Sequence, residues 1–356
     1  MKKVGIVTFH YINNYGAMLQ AYALKKAIDK LDGYKAEIIN YIPEGKVEYP
    51  YECGEIGKDL MKEKLSKLYK FLWNYCDVKK DIVRNVEGCE YDYYCVGSDQ
   101  VWNFDISGND YTYLLKDVDC RAKKVSYAPS VGLSIDKLMP YKDVFRRYLS
   151  DFKKVSVRES VHHEWLKEYC GIECETVLDP TFLLDIEDYE PIISKIKIKK
   201  HAFILFIWYM HDKDVMKGIE FVNTLSRKYG LPVKHNIVKA KWWMIAHDDG
   251  CMFYEGVPEF LWYIKNAEII VTNSYHATMF SIHFKKPFYS FITESMRSRF
   301  DSIGNNMGIN DRFVDGYIPP KKINMDMDYN NIISNIEKPR NKSRMFLKEA
   351  LDADAK

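Results

Sequence analysis

No stretch of this chain is long and apolar enough to read as a transmembrane helix, so the integral-membrane class is set aside first. Excess charge of one sign is also missing. Lys and Arg number 52 against 50 Asp and Glu, interspersed along the chain, which argues against nucleic acid as the main partner. The eight cysteines form no secretory framework. Cys170 and Cys174 have the wrong spacing for a zinc knuckle, and no other Cys/His cluster repairs it. Free thiols in a reducing cytoplasm are the better reading, and the apolar run after Met1–Val4 is too short for a signal peptide. Several catalytic signatures fail as well. His163-Glu164 opens like a metalloprotease helix, but Lys167 stands where its second histidine would be. There is no G-x-G-x-x-G, which excludes the usual dinucleotide fingerprint, no Walker sequence and no G-x-S-x-G elbow. His247-Asp248-Asp249 reads as a loop, and no internal repeat is visible.

What is present is 356 residues, enough for two domains with substantial cores. Lys3–Phe9 reads as a strand and Gly16–Asp29 as a helix bearing Leu19, Tyr22, Ala23, Ala27 and Ile28. Ala36–Ile42 reads as the next strand. A βαβ opening implies a parallel sheet. Strand-like runs follow at Asp92–Val96, Lys124–Ala128, Val155–Arg158 and Glu175–Leu178. A second series has strands near 202–208, 232–238, 268–272 and 287–291, with helices near 212–229, 258–266 and 275–285. The acidic, Pro- and Lys-rich stretch 185–200 divides the two series. The expected organisation is therefore α/β, with two Rossmann-like doubly wound domains, 1–185 and 186–340. A last helix within 341–356, near Ser343–Leu351, is free to cross back onto the first domain, by analogy with other two-Rossmann proteins.

Residues 269–288, IIVTNSYHATMFSIHFKKPF, are the most informative stretch. Ile269–Thr272 is a buried β-branched run, Asn273 and Ser274 suit a helix cap, and Ala277, Phe280, Ser281 and Phe284 give the helix a packing face. His276 then falls in the first helical turn at the C-terminal end of a strand. In an open α/β sheet that crevice takes ligands, and free backbone N–H groups there favour a phosphate or carboxylate. An imidazole beside an anion site suits a general acid; the plainer alternative is that His276 caps or packs the helix.

Other loops follow strands in the same way. Asn14-Tyr15-Gly16 turns from the first strand into the first helix, with Gly16 for the turn and Asn14 for the cap, whether or not a ligand binds there. Ser98 and Asp99 follow the Asp92–Val96 strand; Asp99 suits a general base, or either residue caps the next turn. Trp102 either stacks on a ligand ring or belongs to the core. Arg158, at the end of its strand, suits a bidentate contact to carboxylate or phosphate, against a salt bridge to Glu159, Glu164 or Asp179. Arg297 and Arg299 join the same anion site or sit on a surface helix. Trp208, Tyr209, Trp242, Trp243, Tyr254 and Trp262 either shape a binding site or scatter through the core.

The 269–288 stretch resembles the C-terminal signature of the polysaccharide pyruvyl transferase family. Four other segments are similar to the same family in the same order. They are TFHYINNYGAMLQAYAL from Thr8, YYCVGSDQVW at 93–102, VSVRES at 155–160 and VLDPTFLL at 177–184. The resemblance implies two Rossmann-like domains facing a cleft (GT-B-like). It further implies transfer of an enolpyruvyl-derived group from phosphoenolpyruvate onto two hydroxyls of one sugar of a cell-surface polysaccharide or its precursor, leaving a cyclic ketal. That chemistry needs an acid for C3 of the enol, a base for a hydroxyl and donors for two anionic groups. His276 fits the acid, Asp99 the base, and Arg158 with Arg297 or Arg299 the anion clamp, with Asn273 and Ser274 at the donor. Asn14, Tyr15, Gly16 and Ser98 form the cleft loops. The scheme requires no metal and no cofactor, with phosphoenolpyruvate as co-substrate. Many family members carry Arg two residues before the equivalent of His276, and this chain has Ser274 there, so its anion contact falls to the other arginines.

The partners implied are phosphoenolpyruvate and a sugar or lipid-linked saccharide acceptor. Residues 58–76, KDLMKEKLSKLYKFLWNYC, bear on the second. Leu60, Leu65, Leu68, Leu72 and Tyr75 share a helical face, which either rests on anionic lipid at the inner face of the membrane or covers a sheet inside a cytoplasmic protein. Two other function classes stay open: a two-Rossmann glycosyltransferase using a nucleotide-sugar, and a non-catalytic glycan- or partner-binding protein.

Overall fold

The structure, a computed structural model, describes residues 1–44, 55–119, 122–209, 215–237, 251–252, 254–316, 320 and 323–352. Trp242, Trp243, the 247–249 loop and residues 353–356 of the last segment lie outside the described residues. The chain divides into two compact units. The first comprises Met1–Tyr49, Leu72–Asp185 and Ser334–Lys356, the second Pro50–Phe71 and Ile186–Ile333. The unbroken 1–185 domain read from the sequence thus gives up Pro50–Phe71 to the second unit, and the stretch read as 186–340 gives up its end from Ser334.

The first unit is built on β1 (Lys2–Val7), β2 (Tyr34–Ile38), β3 (Tyr93–Val96), β4 (Lys123–Ser126) and β5 (Phe152–Lys154). All pair in parallel, in the order β2-β1-β3-β4-β5. Val4, Ile6 and Val7 of β1 and every residue of β3 are buried, the continuous apolar burial that a parallel sheet covered on both faces demands. Helix Tyr15–Asp29 starts at Asn14, whose side chain accepts from Gly16 N at 2.8 Å and Ala17 N at 3.4 Å. A short parallel ladder, β6 (Ser156–Val157) with β7 (Glu175–Thr176), completes the unit's strands among the described residues.

The second unit repeats the plan. Its strands β8 (Ile204–Trp208), β9 (Val233–Ile237), β10 (Ile269–Thr272), β11 (Phe288–Ile292) and β12 (Phe313–Asp315) are parallel, in the order β12-β11-β10-β8-β9. Counted within the unit, that is again first strand beside second and third, then fourth and fifth. Ile204, Phe206, Trp208, Phe221, Ile269, Val271, Tyr289 and Phe291 form one apolar core. Helices Val215–Tyr229, Val257–Asn266, Tyr275–His283 and Glu294–Met307 connect the strands.

Two helices differ from the sequence expectation. The last is Tyr329–Asp352, far longer than 343–351, and it carries Pro339 inside. Within the first unit Arg340 donates to Phe182 O at 2.7 Å, Arg344 to Leu183 O at 2.8 Å, and Leu178 N to Ser343 Oγ at 2.9 Å. These tertiary contacts fix a segment whose proline reads as a stop. In helix Glu55–Tyr75, Leu68, Phe71 and Leu72 are buried and Leu65 is half-buried. Leu68 and Leu72 of the apolar face are therefore packed inside the protein and not offered to lipid, while the side chain of Leu60 lies outside the described residues. Among the described residues no helix is long and apolar enough to cross a membrane.

Candidate active-site residues

In a sheet of this order the topological switch point lies between the first and third strands, and the crevice beyond their C-terminal ends takes ligands. In the first unit these are β1 and β3. Gly97 N donates to Val7 O at 3.1 Å, and Thr8 Oγ1 to Ser98 O at 3.0 Å. Gln20, fully buried in the first helix, donates to Thr8 Oγ1 at 2.9 Å and accepts from Ser98 N at 3.0 Å. Ser98 Oγ donates to Ala128 O at 2.7 Å. Ser98 is therefore a brace between strand ends, which corrects its assignment to a ligand loop. Gly97 has φ +114, and a Cβ on it would meet Tyr127 O at 2.3 Å, so only glycine fits.

Asp99 follows with φ +64, and Ala128 on the adjacent strand end has φ +51. Left-handed backbone at a non-glycine residue costs about 1–2 kcal/mol, and here two such residues stand side by side. Their neighbours hold them: Ser130 N donates to Asp99 O at 2.7 Å and Val101 N at 2.9 Å. Asp99 is only 7% exposed, and among the described residues its carboxylate makes no hydrogen bond. A buried, unbonded carboxylate held in a costly backbone conformation at a switch point is what a proton acceptor requires. Asn14 and Tyr15 flank the same strand ends, Asn14 as the helix cap and Tyr15 buried. Gly16 is already helical, so its role is inside the helix and not at a sharp turn.

Arg158 differs from expectation. Its guanidinium donates to Glu159 Oε1 at 3.2 Å and Asp179 Oδ2 at 2.8 Å, and its backbone N to Pro129 O at 3.2 Å. His162 Nδ1 lies 3.1 Å from Glu159 Oε2, and Nε2 lies 2.9 Å from Leu133 O. Burial alone pushes the Glu159 carboxyl up, but the His162 hydrogen bond and the Arg158 and His162 charges outweigh it and hold it at about 2. The arginine is thus spent on two buried carboxylates, and the anion clamp loses its first member. VSVRES and VLDPTFLL carry the pair between them, so the tie joining those two motifs is Arg158–Asp179. The salt-bridge alternative read for Arg158 is the one observed, with Glu159 and Asp179 and not Glu164, while sequence reasoning missed Gln20 and His162.

In the second unit the switch point lies between β8 and β10. Asn273 N donates to Ile207 O at 3.3 Å, and its side chain grips the backbone of Tyr209, accepting from N and donating to O, both at 2.7 Å. Asn273 therefore closes the switch point rather than reaching for a donor. Ser274 caps the next helix, accepting from Ala277 N at 3.3 Å, and its own N donates to Thr272 Oγ1 at 2.9 Å. His276 lies in the first turn of that helix, 7% exposed, edge-on to Tyr275 with ring centroids 5.4 Å apart. Arg297, on helix Glu294–Met307, pairs with Asp315 and, at 3.8 Å, with Asp301. Arg299 is half-buried two residues on, and residues so spaced do not share a helix face. The two arginines do not form one clamp.

The aromatic expectations divide. Trp102 is fully buried, donates to Tyr113 O at 2.7 Å and meets Phe145 edge-on, so it is core. Trp208 and Trp262 are buried as well, while Tyr209 is half-buried. Among the described residues no group of three or more His, Cys, Asp or Glu side chains is arranged to hold a metal.

Two parallel sheets of one strand order define a GT-B-like protein with two Rossmann-like domains. The family model for polysaccharide pyruvyl transferase matches residues 14–295. The chain belongs to that family and is a transferase. Its fold is similar to the UDP-GlcNAc 2-epimerase from Neisseria meningitidis bound to UDP-GlcNAc, at TM-score 0.54 and 12% identity, covering 99% of this chain and 100% of that one. It is similar too to the UDP-GlcNAc 2-epimerase from Methanocaldococcus jannaschii, at TM-score 0.50 and 15% identity, covering 97% and 94%. No curated protein matches the sequence significantly.

Proposed function

We propose that the protein forms a pyruvate ketal on a sugar of a cell-surface polysaccharide or its precursor, with phosphoenolpyruvate as donor. His276 gives a proton to C3 of the enol as a sugar hydroxyl attacks C2, and Asp99 takes that hydroxyl's proton. Phosphate then leaves, a second hydroxyl of the same sugar closes onto C2, and its proton departs with the phosphate. One donor and two hydroxyls become one ketal and one phosphate, with no redox change. Arg299 and the backbone donors of the His276 helix are the candidate contacts for the donor's anionic groups. The cytoplasm suits the reading, since Cys76, Cys89, Cys95, Cys170, Cys174 and Cys251 are free thiols.

The observation that carries this reading is the family match across 14–295, which contains both Asp99 and His276. The two epimerases above share only the fold at their identity, so their UDP-GlcNAc supports no donor here. Calorimetric titration tests the donor directly. Saturable binding of phosphoenolpyruvate, weakened in His276→Ala, is the expected result. Binding of UDP-GlcNAc in its place would overturn the proposal in favour of a nucleotide-sugar transferase.

A further inference from the structure

Arg297, Asp301 and Asn305 recur every four residues on helix Glu294–Met307, so they share one face and extend about 12 Å along the axis. Opposite them stand Asn310, Phe313 and Asp315, with Ile292 at the base. Together these residues line a cavity of about 420 Å³ within the second unit. It lies at the C-terminal ends of β11 and β12, the side of an α/β sheet that receives ligands. Gly304 sets its width: a Cβ there would meet Asn310 Oδ1 at 2.1 Å and Phe313 Cε2 at 2.6 Å.

The lining has a definite chemistry. One guanidinium faces two carboxylates, a net charge of −1, which repels a donor carrying both phosphate and carboxylate. Asn310 Nδ2 donates to Asn305 Oδ1 at 3.0 Å. Among the described residues Asn305 Nδ2 makes no hydrogen bond, and each Asp keeps an oxygen unused by Arg297. Acceptors and an amide donor around an Ile and Phe floor match the alternating hydroxyl and C–H surface of a sugar. The length suits two sugar residues end to end.

We infer that this groove binds an uncharged disaccharide stretch of the glycan acceptor, a role that rests on the pyruvyl-transfer reading above. Arg297 is then an acceptor-side residue that holds Asp301 and Asp315 in position.

Saturation-transfer NMR on the full chain with lactose, cellobiose and N,N′-diacetylchitobiose tests it. At least one should bind, be undisplaced by phosphoenolpyruvate, and weaken by about fivefold in Asn305→Ala, the loss of one hydrogen bond. Asn305 is exposed, so the substitution leaves the fold intact, and Asp301→Asn, the same shape without the charge, should weaken the same sugar. No transfer from any of the three, or unchanged binding in both variants, overturns the groove. Phosphoenolpyruvate calorimetry on the same samples separates the two ideas. Donor binding without disaccharide binding defeats the groove alone; disaccharide binding without donor binding defeats the pyruvyl reading alone.

Discussion

The two units have one strand order and close their switch points by the same device, yet they present opposite chemistry. In the first, Gln20 and Thr8 tie β1 to Ser98 beyond β3; in the second, Asn273 ties β10 to Tyr209 beyond β8. Beyond the first tie stands a carboxylate, Asp99, and beyond the second an imidazole, His276. The parallel sheet leaves the same gap in both units because strands leave their common neighbour in opposite directions there. A buried amide fills that gap better than an apolar group, since the exposed strand-end backbone needs partners. The fold therefore fixes where these loops stand, and under the proposed mechanism Asp99 and His276, just beyond the braces, decide which chemistry each supplies.

The comparison breaks most visibly at the two reactive groups. His276→Ala and Asp99→Asn should each lower ketal formation by about 10²–10⁴-fold, the usual range for a lost general acid or base. Phosphate release and NMR of the pyruvylated sugar measure it. A variant at full activity removes its switch point from the reaction.

The next largest effect is confined to the first unit. Arg158→Ala leaves Asp179 buried without its cation and Glu159 with His162 alone, so urea melts should show a loss of about 3–5 kcal/mol. A loss below about 1 kcal/mol would return Arg158 to the candidates for anion binding.

Smaller is the brace itself. Asn273→Ala removes two hydrogen bonds to Tyr209 and should cost about 1–3 kcal/mol in the same melts. Gln20→Ala removes four hydrogen bonds in the first unit and should cost at least as much, and a smaller loss would mean the two braces are not equivalent.

The finest distinction is in pH. Glu159 is held at about 2 against an ordinary 4.5, so its contribution is complete above 4.5 and is lost as pH falls towards 2. Lys64 in the second unit is lowered by burial to about 7 from 10.5, so the folded chain binds fewer protons and stability rises between pH 7 and 10.5. Glu159→Gln should flatten only the acid window and Lys64→Met only the alkaline one. Stability curves against pH that both variants change alike would refute that separation.

Much of the frame was legible in the sequence because buried parallel strands are continuous apolar runs. Ile269–Thr272, Tyr93–Val96 and Ile204–Trp208 announce themselves that way. Asn14 and Ser274 were legible as caps, since capping is a local backbone demand. β5 (Phe152–Lys154) and β12 (Phe313–Asp315) were not, being three-residue edge strands with little apolar signal. The partner of Arg297 was harder still. Asp315 lies 18 residues away in sequence, and composition holds nothing to choose it over other acids, whereas Asp179 was among the acids read for Arg158.

The sequence by itself determined two α/β series, the strand ends where loops must carry function, and the order of family motifs. Those follow from local periodicity and capping, which act over a few residues. Only the tertiary structure decided which polar side chains were spent on the fold. Ser98, Asn273 and Arg158 are consumed by neighbours brought in by the sheet, whereas Asp99 keeps its carboxylate unbonded among the described residues. Burial makes an unpaired polar group costly, so the chain's own contacts claim such groups first.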